Sequence, residues 1–203
     1  MSTEPHPTLA SPDPMTPFDA APNLALVAAQ LCKGCGLCCS GSFFSYVTLH
    51  PHEQAHLTEL GLPSYTQSNG EILFDHPCPR LKQGLCSIYA ERPKQCQGYH
   101  CQLVKEIWMG TLTPQQGERI IMTAKQRHDW LIQQAKTLEG RPPGPLNLRT
   151  FLYQYYRHNK KRPLEPQERD FVRSSFEYLA LIRRHFHETS ILGKYAAWLQ
   201  QLA

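Results

Sequence analysis

The chemistry in this sequence sits in its eight cysteines. Four form one run, Cys32-Lys-Gly-Cys35-Gly-Leu-Cys38-Cys39, and Cys78, Cys86, Cys96 and Cys101 follow. Two thiols in a C-x2-C turn can face one metal, because the residues between them bend the backbone around it. Gly34 and Gly36 stand where that bend is needed. A disulfide framework wants a short secreted chain. This chain has 203 residues and no basic segment ahead of its apolar lead-in, so the expected compartment is cytoplasmic and reducing. All eight thiols are therefore candidate metal ligands. A closed zinc site takes four thiolates, and so does a cubane iron–sulfur cluster. Eight thiols allow two sites, and the adjacent pair Cys38-Cys39 points the same way, since successive side chains leave the backbone in different directions. One centre with spare thiols nearby is the alternative. C-x2-C-x2-C with a remote fourth cysteine suits an iron–sulfur cluster, although the bacterial ferredoxin run is absent. All-thiolate ligation suits structural zinc equally well. The expected cofactor is zinc or iron, with one or two 4Fe-4S clusters as one form of it.

Other chemistry is weaker. His52-Glu53-Gln54-Ala55-His56 spells H-E-x-x-H, the zinc-peptidase arrangement. A metzincin needs glycine three residues after the second histidine and a third histidine beyond it; Glu59 and Leu62 occupy those places. Pro51 also makes this the first turn of a helix. The motif reads as solvated histidines at a helix start, with a zinc peptidase kept as a minor alternative. His76 and His100 lie near cysteines but are expected beside the ligand shell or exposed. No phosphate-cradling glycine motif occurs.

The elements that must position these thiols follow from periodicity and breakers. Hydrophobic residues make up 41% of the chain, enough for a sizeable core. Residues 1–23 carry six prolines and read as a disordered tail. Leu24–Leu31 reads as a short helix leading into a cysteine loop, and Phe43–Val47 and Gly70–Phe74 as short strands. Between them a helix begins at His50-Pro51 and ends at Gly61. Residues 78–101 read as loop with a turn or two of helix. The second half is helical: Val104–Gly110, Thr113–Glu139, Asn147–Lys160, Pro166–His187 and 190–203, with a breaker at Gly140–Pro145. Inward positions are expected at Ile120, Ile121, Ala124, Trp130, Leu131 and Leu138 in the longest helix. The fold class is mainly α: a tail over 1–23, an irregular cysteine-rich metal-binding module with few short strands over 24–103, and a helical region over 104–203 packing on or beside it.

Charge divides the same way. Up to Leu103 the net is −3, and from Val104 onward it is +7. A net charge of +4 is too mild to name nucleic acid as a partner, and no apolar run reaches membrane-spanning length. Two four-thiolate zinc or oxidised cubane sites would add about −4 to the first half. The basic charge reads as solvated helix faces; the alternative is that these helices complement an anionic module or an anionic partner.

The cysteine pattern resembles the YkgJ-like cysteine-cluster family, described as candidate zinc- or iron-chelating domains. The matching residues are Cys32-x2-Cys35-Gly36-x-Cys38-Cys39 with Gly41, then Val47-Thr48-Leu49, Cys78-Pro79-x-Leu81, Gly84-Leu85-Cys86-Ser87-Ile88-Tyr89, Arg92-Pro93-x2-Cys96 and Tyr99-x-Cys101. They cover about residues 31–101. The resemblance implies metal chelation by the cysteines. One enzyme type with a similar cluster, the flagellin lysine methylase, carries iron–sulfur chemistry, but the radical signature C-x3-C-x2-C is missing here, so no methylase activity is carried over. Within the matched element Gly84 is expected in a turn, Ile88 and Tyr89 as core or lid over the metal, and Arg92 in structural hydrogen bonds. The expected function is a binding or structural module acting with a protein partner rather than an enzyme by itself. An iron–sulfur redox protein, or an accessory to a protein-modifying enzyme, is the alternative.

Overall fold

The structure is a computed structural model and describes residues 23–139, 145–187, 189 and 191–202. Residues 1–22 of the expected tail over 1–23, and 140–144 of the expected breaker over 140–145, lie outside the described residues. The fold is mainly α, with a few short strands.

Helix α1 (Leu24–Cys35) starts where Asn23 Oδ1 accepts from the Ala25 amide at 2.9 Å. It ends at Gly36, whose φ of +69° is the left-handed closure that glycine adopts without strain. The helix therefore runs past Leu31 and carries Cys32 and Cys35 itself. The sequence reading places these two in a loop; the first left-handed residue, Gly36, decides otherwise.

Strand β1 (Tyr46–Leu49) comes next, followed by a 3-10 turn (Pro51–Glu53) and α2 (Gln54–Glu59). β2 (Tyr65–Thr66) and β3 (Ile72–Asp75) complete a three-stranded antiparallel sheet in the order β1-β3-β2, with Val47 opposite Phe74. β4 (Leu81–Lys82) and β5 (Leu85–Cys86) form a second hairpin. Its two-residue turn has positive φ at Gln83 (51°) and Gly84 (79°), the conformation that matches strand twist. A 3-10 turn (Tyr89–Glu91) and α3 (Lys94–Gly98) lead to α4 (Gln102–Trp108). The remaining elements are α5 (Pro114–Glu139), α6 (Leu148–Asn159), α7 (Pro166–His185) and α8 (Ile191–Leu202).

Two apolar cores result. The larger joins Val27 and Leu31 of α1 to α4 and the four long helices behind it. Tyr155, Phe171, Tyr195 and Trp198 interlock at its centre, and Tyr195 satisfies its buried hydroxyl on the Leu152 carbonyl at 2.9 Å. The smaller core is made by the sheet and α2, through Val47, Leu49, Leu57, Leu62, Ile72, Phe74 and Ile88. In α5 the buried stripe is Ala124, His128, Leu131 and Ala135. Trp130, expected inward, is 41% exposed instead. The 3.6-residue period puts position 128 on the core-facing side and turns 130 away.

The helical half also grips the cysteine-rich half by its backbone. Asn147 Nδ2 donates to the carbonyls of Phe44 (3.1 Å) and His76 (3.2 Å), and Arg149 donates to that of Phe43 (3.0 Å). α1 packs on both α4 and α5.

Candidate metal centre

Cys32 and Cys35 stand three residues apart on α1, so their side chains leave the same face of the helix. After Gly36 the chain folds back through a turn closed by Ser40 N to Gly36 O (2.9 Å), which brings Cys38 and Cys39 round. Cys101 lies at the N-terminal cap of α4, which packs on α1. Cys78 donates its amide to the Cys39 carbonyl at 2.7 Å and accepts from Leu81 N at 3.0 Å. Leu81 in turn pairs with Cys86 across the β4–β5 hairpin. Cys96 is in α3, where Arg92 Nε reaches its carbonyl at 3.4 Å. The eight cysteines therefore meet: all are free thiols and all line one cavity of about 480 Å³. Among the described residues, no three His, Cys, Asp or Glu side chains stand at the spacing of a single bound ion.

The walls between them are apolar, formed by Phe44, Val47, Leu62, Phe74, Ile88 and Tyr99. This surrounding sets the electrostatics. Burial, as the largest cause, raises Cys32 to about 12, Cys35 to about 11 and Cys96 to about 12, and it pushes Cys38, Cys39, Cys78 and Cys101 upward as well. Neighbouring thiols add to it: Cys101 and Cys35 act on Cys32, while Cys78, Cys86 and Cys96 act on Cys39. Four cations oppose them. Arg92 faces Cys32 and Cys96, Lys125 faces Cys35, Lys105 faces Cys101 and Arg80 faces Cys78. Two of these four, Lys105 and Lys125, come from the basic helical half. Thiols so reluctant to ionise alone are poor nucleophiles but good metal ligands, because a bound cation supplies the charge that favours the thiolate. The donor set thus fits a thiophilic metal.

Several neighbours have defined tasks. Arg92 lies over the Tyr89 ring at 3.8 Å and donates to the Tyr89 carbonyl at 2.8 Å, in keeping with a structural role. Ile88 is in the small core and Tyr89 lines the cavity, its hydroxyl reaching Ala28 O at 3.3 Å. His76 also lines the cavity; burial lowers its pKa to about 4, so it is neutral, and its Nδ1 has no hydrogen-bond partner. His100 sits on the Gly98 carbonyl at 3.2 Å. Two contributors have roles that the local sequence did not assign. Tyr99 lines the cavity and its hydroxyl meets His187 Nδ1 at 3.2 Å. Lys125 donates from Nζ to the Gly34 carbonyl at 2.9 Å, 91 residues away.

The H-E-x-x-H run builds no such site. Both Glu53 carboxylate oxygens are occupied by backbone amides, those of His50 (3.0 Å) and Lys94 (2.8 Å). His52 is exposed, and exposed His56 pairs with Glu91 at 3.1 Å. The run straddles a 3-10 turn and a short helix, so it lacks the single regular helix the peptidase arrangement uses.

No helix among the described residues is long and apolar enough to cross a membrane. No curated protein and no solved structure matches the chain. A family does match, over residues 31–131, which takes in all eight cysteines, α4 and the first two-thirds of α5. Over that segment the chain belongs to the CxxCxxCC family, a candidate zinc- or iron-chelating domain.

Proposed function

We propose that this protein is an iron–sulfur protein that holds its metal in the cysteine-lined cavity and works as a redox or accessory partner of another protein. The observation that supports the reading is the space itself. Eight free thiols stand around about 480 Å³. Four thiolates closing on one zinc sit about 2.3 Å from it and leave no room between them. An iron–sulfur centre brings its own iron and sulfide atoms and needs a lined space to receive them. When bound, such a centre takes up and gives back single electrons, at a potential set by charge, hydrogen bonds and exposure. The chain's own residues supply the rest. Phe44, Phe74 and Tyr99 give the thiols apolar walls, and Arg92, Lys105 and Lys125 offset the negative charge that ligation creates.

Zinc as a structural staple is the second reading. It is favoured by the small core, whose seven buried apolar side chains are few for a self-standing unit. Purification under anaerobic conditions decides between the two. The expected product is brown and contains iron and acid-labile sulfide. A colourless protein with stoichiometric zinc overturns the iron–sulfur reading.

A further inference from the structure

We propose that the eight thiols divide into two four-thiolate centres, with Cys32, Cys35, Cys38 and Cys101 in one and Cys39, Cys78, Cys86 and Cys96 in the other. The inference rests on the metal-binding reading of the same cavity, but not on which metal it is.

The backbone makes the division first. Cys32 and Cys35 share one helix face, the turn after Gly36 returns Cys38 to them, and α4 delivers Cys101 by packing on α1. The second set is threaded by hydrogen bonds of its own: Cys78 N to Cys39 O at 2.7 Å, then Leu81 N to Cys78 O at 3.0 Å, then the Leu81–Cys86 strand pair. Arg92 ties in Cys96 through the Cys96 carbonyl.

Packing makes the same division independently. Cys32, Cys35, Cys38 and Cys101 lie against the large helical core. Cys78, Cys86 and Cys96 lie against the small sheet core. Cys39 touches neither core, and its backbone bond to Cys78 assigns it.

The boundary falls on one peptide bond. Cys38 and Cys39 are successive residues whose side chains leave the backbone in different directions, so one can serve each centre. The adjacent pair is then what keeps two centres in one cavity, each seated on a different core.

Zinc titrated into the reduced, metal-free full chain tests the division, with protection of thiols from N-ethylmaleimide as the readout. Cys101→Ser is expected to bind half as much zinc as the unsubstituted chain and to protect Cys39, Cys78, Cys86 and Cys96. Cys96→Ser is expected to bind half and to protect Cys32, Cys35, Cys38 and Cys101. Adding Cys32→Ser to Cys101→Ser changes nothing further, whereas adding Cys96→Ser to Cys101→Ser abolishes binding. Should Cys101→Ser fail to fold, the unsubstituted chain with one zinc equivalent supplies the answer by intact-mass separation of singly loaded molecules. Four protected thiols from one set are expected there. Protection of Cys38 together with Cys39 in a singly loaded molecule overturns the division. Iron and sulfide content is measured separately. A zinc-only protein with the two expected protection sets removes the iron–sulfur reading and keeps the division, and a brown protein with mixed protection does the reverse.

Discussion

Gly34 and Gly36 flank Cys35, yet alanine at the two positions is expected to act in opposite directions. Gly34 is inside α1, and a Cβ there meets nothing within 4 Å. Glycine in a helix costs roughly 0.5–1 kcal/mol relative to alanine, so Gly34→Ala should stabilise by about that much. Gly36 has φ +69°, where an L-residue costs roughly 1–2 kcal/mol. A Cβ there also lands 2.9 Å from the Gly84 carbonyl oxygen and 2.9 Å from Leu81 Cδ1. Leu81 can turn aside, but the carbonyl belongs to the hairpin that carries Cys86. Forcing the two apart adds roughly 1–3 kcal/mol, as overpacking does. Gly36→Ala should therefore cost about 2–5 kcal/mol in all, a large share of a typical domain's stability. It should also loosen metal retention, because the cysteine segment of α1 and the β4–β5 hairpin meet at this contact. Urea unfolding of the metal-loaded protein reads the first effect, and transfer of metal to a competing chelator reads the second. The reasoning is refuted if both substitutions shift the urea midpoint in the same direction, or if Gly36→Ala is neutral.

Other substitutions probe the rest of the molecule. Glu53→Gln leaves one carboxylate role unfilled between the His50 and Lys94 amides and should cost about 1–2 kcal/mol in urea unfolding. A peptide-hydrolysis activity abolished by the same change would restore the peptidase reading. The hydrogen-bonded Arg162 guanidinium holds Glu168 at about 2, below its ordinary 4.5. Its contribution is thus complete above about pH 4.5 and is lost as pH falls toward 2. Glu168→Gln should flatten that acid limb and lower stability at neutral pH by about 1–2 kcal/mol, after allowance for the half-exposed arginine. Lys125→Met removes the cation facing Cys35 and its bond to Gly34 O. Metal affinity measured by chelator competition should weaken roughly three- to tenfold, on about 1 kcal/mol for a partly exposed charged bond. Lys125→Arg should recover most of it.

Much of this was readable in the chain before folding. The helices of the second half fall where their apolar residues recur, because burying a stripe on a 3.6-residue helix demands that recurrence. Leu148, Phe151, Leu152 and Tyr155 are buried as their spacing requires. Strand β3 also falls where the apolar run Ile72-Leu73-Phe74 predicts it. Periodicity failed at Trp130, where bulk suggested burial and the helical phase turned the ring outward. It failed again at Cys32 and Cys35, where two glycines suggested a loop but only the second has the left-handed conformation that ends a helix.

The sequence by itself determined the donor chemistry: eight soft thiols, the kind of donor that a sulfur-preferring metal takes. Residue type and short spacing suffice for that, because softness is a property of the atom and a C-x2-C unit is local. Only the tertiary structure decided that the eight thiols share one apolar-walled cavity, that Lys125 reaches Gly34 across 91 residues, and that Glu53 serves two backbone amides instead of a peptidase site. Those are matters of which distant surfaces exclude water together. No local pattern encodes them, since α1 packs on α4 and α5, and Cys78 bonds Cys39, only once the whole chain has folded.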